Sequence, residues 1–309
     1  GIHGDWGTWI QQTTDGGFIV TGYMYNDYYS DYDIFLMKTN LYGDSTWTKR
    51  FRGINGGGGE CVQQTTDGGF IVGGYTDTGS GYSGYIIKTD SIGDTLWTKL
   101  SATGYVTCVR QTVDGGYILT GSSVVYLLKT DTLGNQIWYQ SYGGNGGYSV
   151  QKTSDGGYIV VGKIGSGNLD ILMVKTDSLG NEQWSNIYGG SDREIPYSVY
   201  QTFDKGYIVV GETESYGAGL SDVYVIKTDA NGDTLWTNTY GGVRLRYSKE
   251  TLDEIWRRTQ GRCHICGKKL HRKYYGEEWH VDHSKPRAKG GTNHFNNYFP
   301  ACSRCNSLK

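Results

Sequence analysis

The chain has 309 residues, including 49 Gly, 27 Tyr and only 3 Pro, a composition typical of a β protein rich in turns. Its formal net charge of −2 conceals an asymmetry. Residues 1–242 carry 14 Lys and Arg against 25 Asp and Glu (net −11), whereas residues 243–309 carry 15 against 6 (net +9). The basic end is therefore the candidate for contact with nucleic acid. No apolar run approaches the length of a membrane span, so we expect no contact with a membrane.

Two sequence markers recur five times within residues 1–242. The first has the form QQTTDGGFIVTG, and its aspartate stands at Asp15, Asp67, Asp114, Asp155 and Asp204. The second has the form KTDSIGDTLW, and its tryptophan stands at Trp47, Trp97, Trp138, Trp184 and Trp236. Successive aspartates lie 41 to 52 residues apart. A recurring period of this length is the signature of a repeat protein built from one supersecondary unit.

Each repeat contains four short segments rich in β-branched and aromatic residues, such as YSVQKT, GYIVVG, DILMVKT and EQWSNIYG, separated by turn residues. This pattern predicts a four-stranded meander, and a meander of this size is one blade of a β-propeller. We therefore predict a five-bladed β-propeller over residues 1–242. A right-handed β-solenoid of the same repeats is the alternative, and a longer array trimmed at Gly1 is also open.

The residues that recur within the repeats are expected to be structural. D-G-G supplies the positive φ of a tight hairpin between the first and second strands, and D-x-x-G-D/N supplies it between the third and fourth. The second turn loosely resembles the Asp-box of sialidase-type propellers, most closely from Thr89 to Trp97. A calcium site at the aspartates is a weaker alternative, because each loop brings few oxygen ligands. The repeated tryptophan is expected to pack between blades.

Cys61 and Cys108 occupy equivalent positions of two repeats, where Trp9, Ser149 and Ser198 stand in the others. We interpret both cysteines as buried small residues rather than a disulfide. Reduced thiols favour the cytoplasm, and no signal peptide is visible. The chain begins at Gly1 rather than Met, so a targeting signal could be missing.

The loops between the second and third strands vary in length and composition. In a meander the two tight turns share one face of the ring, so these variable loops lie on the other face. The first of them, YMYNDYYSDYD, contains Tyr23, Tyr25, Tyr28 and Tyr29. Variable Tyr-rich loops on a rigid scaffold are typical of a recognition surface, and we predict that these tyrosines bind an unknown protein or glycan. The alternative is that they only decorate a long hairpin.

A helix is predicted between the repeats and the cysteine-rich end. Apolar and small side chains recur there at helical spacing, at Leu252, Ile255, Trp256 and Thr259. Thr251 and Glu254 are placed to form a capping box, and Gly261 is placed to end the helix. We expect this helix to pack on the segment that follows it.

Two C-x-x-C pairs follow, Cys263 with Cys266 and Cys302 with Cys305. Each turn can aim two thiolates at one ion, and four thiolates complete the tetrahedral shell of a structural Zn²⁺. The 35 residues between the pairs exceed the usual ribbon spacing, but closing a longer loop costs little additional entropy. Two disulfides in an oxidising compartment are the metal-free alternative.

The last part of the chain carries C-x-x-C, D-H, G-G, N and C-x-x-C-N-x-x-K in that order, and this pattern resembles the HNH nucleases that are stapled by four zinc-bound cysteines. The resemblance covers roughly residues 247–309. It implies a ββα-metal fold, in which a β-hairpin and a helix surround one divalent cation. It also implies that His283 is the general base, that Asp282 and Asn306 hold Mg²⁺ or Mn²⁺, and that Asn297 orients the loop carrying the histidine. The zinc would then be structural only.

The residue types suit these implied roles. Hydrolysis of a phosphodiester needs a deprotonated water and a cation that neutralises developing charge, and histidine titrates near neutrality. Asp and Asn supply the oxygen ligands that Mg²⁺ and Mn²⁺ prefer. Taken singly, His283 could be a surface histidine and Asp282 a turn residue. His280 is a spare ligand candidate, because it lies two residues before Asp282 on a predicted strand.

Basic residues surround the D-H dipeptide and follow the last cysteines. They are Lys285, Arg287, Lys289, Arg304 and Lys309. We expect them to contact DNA phosphates, although a basic run taken alone more often marks a solvated face.

The sequence therefore predicts a mostly β chain, with a five-bladed β-propeller of four-stranded blades followed by a small α+β zinc-bound HNH domain over residues 243–309. We expect a metal-dependent DNA endonuclease whose propeller acts as a sensor, with bacterial defence or conflict as a hypothetical role. The rival is a multivalent propeller binding protein with an inactive or truncated HNH appendage, because the chain ends four residues past Cys305 and leaves the last helix barely one turn. An artificial fusion is a third option, and the oligomeric state stays unknown.

Overall fold

Twenty strands form five sheets in the larger part of the chain. A computed structural model of the protein describes residues 4–101, 103–217, 221–241, 249–263, 265–266, 268–271, 279–283 and 298–302. Blade one contains β1 (Trp6–Gln12), β2 (Phe18–Asn26), β3 (Asp31–Thr39) and β4 (Ser45–Phe51). Blade two contains β5 (Gly57–Gln64), β6 (Phe70–Asp77), β7 (Tyr82–Thr89) and β8 (Thr95–Ser101). Blade three contains β9 (Val106–Gln111), β10 (Tyr117–Gly121), β11 (Tyr126–Thr130) and β12 (Gln136–Ser141). Blade four contains β13 (Gly147–Lys152), β14 (Tyr158–Ile164), β15 (Asp170–Thr176) and β16 (Glu182–Tyr188). Blade five contains β17 (Glu194–Gln201), β18 (Tyr207–Thr213), β19 (Asp222–Thr228) and β20 (Thr234–Tyr240).

Each sheet is a four-stranded meander, and its strand order follows the sequence. One sheet corresponds to one repeat, so the prediction of five four-stranded blades is confirmed. The middle strands are apolar on both faces, as in β14, where Ile159, Val160 and Val161 are all fully buried. Burial on both faces is what a sheet packed between two neighbours requires.

The tight turns take the predicted left-handed conformation. In the D-G-G turns, Gly16, Gly68, Gly115 and Gly156 have φ between 80° and 87°. In the fifth repeat the same position holds Lys205, which keeps φ at 65°. Like the glycines, it donates its backbone N–H to the carbonyl three residues earlier, here that of Thr202. The turn geometry therefore persists where its sequence changes, at a cost in backbone strain.

An ion pair links the two sequence markers of every blade. In blade one, Lys38 Nζ lies 2.8 Å from an Asp15 carboxylate oxygen and donates to the Thr39 carbonyl, while Thr13 and Gly17 also donate to Asp15. The pair recurs as Lys88–Asp67, Lys129–Asp114, Lys175–Asp155 and Lys227–Asp204, at 2.8 to 2.9 Å. The lysine of K-T is buried and needs this partner. The aspartates therefore have a structural role, which weakens the alternative of calcium sites.

A β-bulge interrupts the first strand of every blade. The extra residue is Thr8, Glu60, Thr107, Tyr148 or Tyr197. The first strands of consecutive blades contact each other, which makes them the innermost strands. A bulge changes the direction of the side chain at the extra residue. The inner strands therefore depart from a regular pleat at these five positions.

Consecutive blades are joined by four hydrophobic clusters among the described residues, one for each neighbouring pair. In each, the repeated tryptophan lies against an aromatic ring of the next blade's second strand. The ring pairs are Trp47–Phe70, Trp97–Tyr117, Trp138–Tyr158 and Trp184–Tyr207, with centroids 5.6 to 6.3 Å apart. Cys61 and Cys108 are fully buried thiols. The predicted packing role is confirmed for these four tryptophans and for both cysteines, whereas the fifth tryptophan, Trp236, is 43 % exposed.

The chain divides into two compact units, Gly1–Ser215 with Val223–Asn238, and Tyr216–Asp222 with Thr239–Lys309. The predicted domain boundary at residues 242 and 243 lies outside the described residues and stays a prediction. In the second unit the described elements are α1 (Lys249–Thr259), β21 (Trp279–His283) and β22 (Tyr298–Cys302). None of the helices in the described ranges is long and apolar enough to cross a membrane.

The predicted helix exists, but its predicted start is wrong. Helix α1 begins at Lys249, so Thr251 is its third residue rather than its cap, and Glu254 forms an ion pair with Arg257 one turn later. The correction has a simple cause, because helix starts are weakly specified by single residues. The predicted end is confirmed: the helix stops at Thr259, and Gly261 has φ 65°.

Candidate active site and ligand face

The predicted tyrosines of the first variable loop divide into two groups. Tyr23 and Tyr25 are half-buried and each lies edge-on against Tyr32, with centroids 5.6 and 5.2 Å apart. Tyr28 and Tyr29 form their own edge-on pair at 4.6 Å, and Tyr28 is 85 % exposed. Of the four predicted ligand residues, therefore, the structure places Tyr28 and Tyr29 at the surface and Tyr23 and Tyr25 in local packing.

A second aromatic group lies on blades two and three. Tyr75 stacks on Tyr105 with centroids 4.5 Å apart, and Tyr82 lies edge-on against both rings. Burial and then the nearby Glu60 carboxylate raise the pKa of Tyr75 to about 12. Burial alone raises the pKa of Glu60 from 4.5 to about 6. A carboxyl group that titrates near neutrality thus lies beside a stack of aromatic rings.

Blades four and five present a related group. Tyr148 and Tyr197 lie edge-on with centroids 6.1 Å apart, and Lys163 Nζ lies 5.5 Å from the Tyr148 ring. Tyr197 is 51 % exposed. Sequence reasoning missed Glu60, Tyr148 and Tyr197, although a signal was present. They precede the aligned Cys or Ser position of the repeats, where the other two repeats have threonine.

The first C-x-x-C pair lies in a short hairpin after α1. The backbone N–H of Cys263 donates to the Lys268 carbonyl at 2.9 Å, and that of Leu270 donates to the Gly261 carbonyl at 2.8 Å. Cys263 is buried and Cys266 exposed. A hairpin of this form is the knuckle in which two thiolates can face one ion. The two thiols of Cys263 and Cys266 are suitable ligands for the predicted structural Zn²⁺.

The D-H dipeptide lies on the short two-stranded sheet. Strand β21 pairs antiparallel with β22, so that Asp282 stands opposite Phe299 and His283 opposite Tyr298. At the other end of the same sheet, Trp279 stands opposite Cys302. The backbone thus connects the predicted catalytic dipeptide directly to the strand that leads into the second C-x-x-C pair.

Helix α1 packs against β22. The described core of this unit is small. Its buried apolar members are Ile255, Leu270, Pro300 and Ala301, together with the Cys263 side chain. A core of this size stabilises a fold only weakly. This is a physical reason to expect that a bound metal ion stabilises the domain.

Several predicted site residues lie outside the described residues. They are Asn297, Asn306, Cys305, Lys285, Arg287, Lys289, Arg304 and Lys309. For Asp282, His283 and Cys302 the structure gives the backbone position. Among the described residues, no group of three or more His, Cys, Asp and Glu side chains could hold a metal.

Comparison with known protein families decides the nature of this unit. Residues 263–309 match the family model of HNH endonucleases. The chain therefore carries an HNH endonuclease domain at its C-terminal end, and the resemblance inferred from the motifs is confirmed. A nuclease domain of this family acts on nucleic acid, which suits the basic charge of residues 243–309. No curated protein sequence matches the chain.

Several solved structures are similar to most of the chain. A protein of unknown function from Bacteroides caccae has 11 % identity and a TM-score of 0.55, over 76 % of this chain and 82 % of its own. The WD40 β-propeller domain of Doa1 has 12 % identity and a TM-score of 0.49, over 76 % and 79 %. The Dos1 propeller has 12 % identity and a TM-score of 0.49, over 77 % and 63 %.

Proposed function

We propose that this protein is a metal-dependent endonuclease that hydrolyses DNA phosphodiesters through its HNH domain, while the propeller recognises a separate ligand. The observation that carries the proposal is the HNH match at residues 263–309, with Asp282 and His283 consecutive on β21. The paired strand β22 ends at Cys302, the first cysteine of the second pair. Sheet, dipeptide and cysteines therefore follow one another as a nuclease of this kind needs.

Each residue has a proposed task. Four thiolates, from Cys263, Cys266, Cys302 and Cys305, hold a structural Zn²⁺. Asp282 and Asn306 hold Mg²⁺ or Mn²⁺, which supplies a positive charge beside the scissile phosphate. His283 accepts the proton of the attacking water, and Asn297 orients the loop that carries His283. The basic residues Lys285, Arg287, Lys289, Arg304 and Lys309 bind DNA phosphates.

The decisive experiment is cleavage of a supercoiled plasmid with Mg²⁺ or Mn²⁺ by the chain and by His283→Ala. Loss of a general base typically lowers the rate about 10²–10⁴-fold. His271→Ala is the matched control, because His271 is an exposed histidine of the same domain outside the D-H motif. We expect cleavage by the chain and by the control variant but not by His283→Ala. Zinc content must be equal in all three proteins.

Two results would overturn the nuclease assignment. One is the absence of metal-dependent cleavage by the zinc-loaded chain, and the other is undiminished cleavage by His283→Ala. In either case the binding function of the propeller would remain as the activity of the protein.

For the propeller we propose that the ligand is a glycan bound near the bulges of the inner strands. Three observations support this choice: the Tyr75–Tyr105 stack, the adjacent Glu60 carboxyl, and the exposed Tyr197 ring. Aromatic faces pack on sugar rings, and a carboxylate accepts hydrogen bonds from sugar hydroxyls. The five bulge residues differ chemically, which favours one composite site over five equivalent sites.

A glycan array probed with the full chain tests this assignment. Glu60→Gln and Tyr105→Ala should each weaken binding at least tenfold, whereas Tyr28→Ala, on the exposed tip of the first loop, should not. Binding that depends on Tyr28 alone would return the ligand site to the first variable loop. A role in defence or conflict additionally requires that the bound glycan alters plasmid cleavage, and equal cleavage with and without it would contradict that role.

A further inference from the structure

The two faces of a blade pack on different neighbours. Between blades one and two, Ile19, Ile34 and Leu36 of the first meet Val62, Phe70 and Val72 of the second. We call the face of a blade that packs on the next blade in the chain its trailing face. We call the face that packs on the preceding blade its leading face. Every internal interface joins a trailing face to the leading face of the next blade.

The leading face of blade one is uncovered. Its central position is Ile10, which is 62 % exposed, whereas the equivalent valines of the other four blades are at most 1 % exposed. Those valines are Val62, Val109, Val150 and Val199. Phe18 and Val20 on the same face are also more exposed than their buried counterparts Phe70 and Val72. The leading face, which is buried in the other four blades, is therefore exposed to solvent in blade one.

The trailing face of blade five is uncovered as well. Val223 is 47 % exposed and Val210 39 % exposed, although the equivalent positions of the other blades are buried. Trp236, the equivalent of the four interface tryptophans, is 43 % exposed. Among the described strands, neither β17 nor β18 packs on β1 as inner strands of consecutive blades do. Within the described residues, blade five therefore lacks the inner-strand packing on blade one that consecutive blades show.

These two faces are complementary to each other. The trailing face offers Trp236, and the leading face offers Phe18, which is the aromatic position that accepts the tryptophan in the internal interfaces. Polar groups match too. In three internal interfaces a backbone N–H of the D-G-G turn (Thr14, Thr66 or Ser154) donates to a glutamine side chain of the next blade (Gln64, Gln111 or Gln201). The corresponding groups at the ends are Phe203 N–H and Gln12.

We propose that the trailing face of blade five binds the leading face of blade one in a second copy of this chain. The occupant is identified by what covers every equivalent face in the molecule, which is a blade of this same repeat. Both faces are exposed in the described residues, and we assign the partner surface to another chain. Such a head-to-tail contact is heterologous, so its two sides are different surfaces. Each chain in the assembly would contribute its own HNH domain.

The test measures the mass of the full chain across a concentration series by analytical ultracentrifugation. Ile10→Asp places a charge on the leading face, and Val223→Asp places one on the trailing face. Leu133→Asp is the matched control, because Leu133 is 61 % exposed at a tight turn outside both faces. All three positions are exposed, so thermal unfolding should remain unchanged. We expect the chain and the control to associate, with affinity reduced at least tenfold in each face variant.

Mixing the two face variants sharpens the test. Each variant keeps one intact face of the opposite kind, so an equimolar mixture should form a heterodimer although neither variant associates alone. Three outcomes would overturn the proposal: a chain that stays monomeric at every concentration, a face variant that still associates by itself, or a mixture that stays monomeric. A monomer in which Ile10 and Val223 are protected from solvent would show instead that the chain closes on itself.

Discussion

The propeller and the HNH domain are stabilised in different ways. Each internal blade interface buries a layer of aliphatic and aromatic side chains and repeats the same tryptophan contact. Each blade also repeats the lysine–aspartate pair within its own sheet. The described part of the HNH domain buries a small apolar set that comprises Ile255, Leu270, Pro300, Ala301 and the Cys263 side chain. Repeated apolar layers can stabilise a fold additively, whereas a core this small cannot. We therefore expect the folding of the HNH domain to depend on bound metal and the folding of the propeller to be independent of it.

Removal of zinc should give the largest effect. Structural Zn²⁺ contributes about 10–16 kcal/mol in small zinc-bound peptides at neutral pH, so a strong chelator should unfold the HNH domain. Hydrogen exchange followed by mass spectrometry should show lost protection in α1 and unchanged protection in β14 and β15. The comparison would break if α1 kept its protection after the zinc content had fallen to zero.

The interface tryptophans should separate internal contacts from the uncovered end. Trp184→Ala removes a ring that lies 5.6 Å from Tyr207 and packs on the cluster between blades four and five, and truncation of a large core side chain costs about 3–5 kcal/mol. We expect somewhat less here, about 2–3 kcal/mol, because Trp184 is only partly buried. Trp236→Ala, at the equivalent but exposed position, should cost below about 1 kcal/mol in the dilute monomer. Urea denaturation of both variants measures the difference, and equal losses would contradict the uncovered end.

Much of the propeller follows from sequence because its signals are local and repeated. The D-G-G turns, the apolar strands and the tryptophans each act within one blade or between adjacent blades. Two features were not predicted. The buried lysine of K-T pairs with the D-G-G aspartate of its own blade, as Lys38 does with Asp15, and this contact forms only when the strands of the blade pair. The exposure of Ile10 depends on whether another blade covers it, which no single repeat shows.

The HNH site shows the reverse relation. The motifs between Cys263 and Lys309 are specific enough to predict the family, and the family match confirms that prediction. The start of helix α1 was predicted incorrectly, because the helix begins two residues before the expected cap and nothing at Thr251 marks that shift. Motifs are set by chemistry and helix starts by weak competing preferences, which explains why the first was predicted correctly and the second was not.

Acidity should distinguish the half-buried Glu60 carboxyl of the proposed ligand site from the paired aspartates. Burial raises the pKa of Glu60 from 4.5 to about 6, so the folded state favours its protonated form. That contribution to stability is complete below pH 4.5 and is lost as pH rises through about 6, amounting to about 1–2 kcal/mol. The aspartates Asp114 and Asp155 have a pKa of about 2, because their hydrogen bonds outweigh burial, so they lose their contribution only as pH falls below about 4. Between pH 4.5 and 6.5, Glu60→Gln should abolish the fall in stability measured by urea denaturation, and an unchanged slope would refute the assignment.

The smallest effect should come from the irregular turn of blade five. Lys205 stands where the other four repeats have glycine, with φ at 65°, and a left-handed conformation costs an ordinary residue about 1 kcal/mol. Glycine removes that strain but adds freedom to the unfolded chain, so Lys205→Gly should stabilise the protein by a few tenths of a kcal/mol, up to about 1 kcal/mol. The reverse change at an equivalent turn, Gly156→Lys, should destabilise it by about 1 kcal/mol. Urea denaturation measures both changes. Destabilisation by Lys205→Gly or stabilisation by Gly156→Lys would contradict the conclusion that left-handed backbone strain determines the stability of this turn.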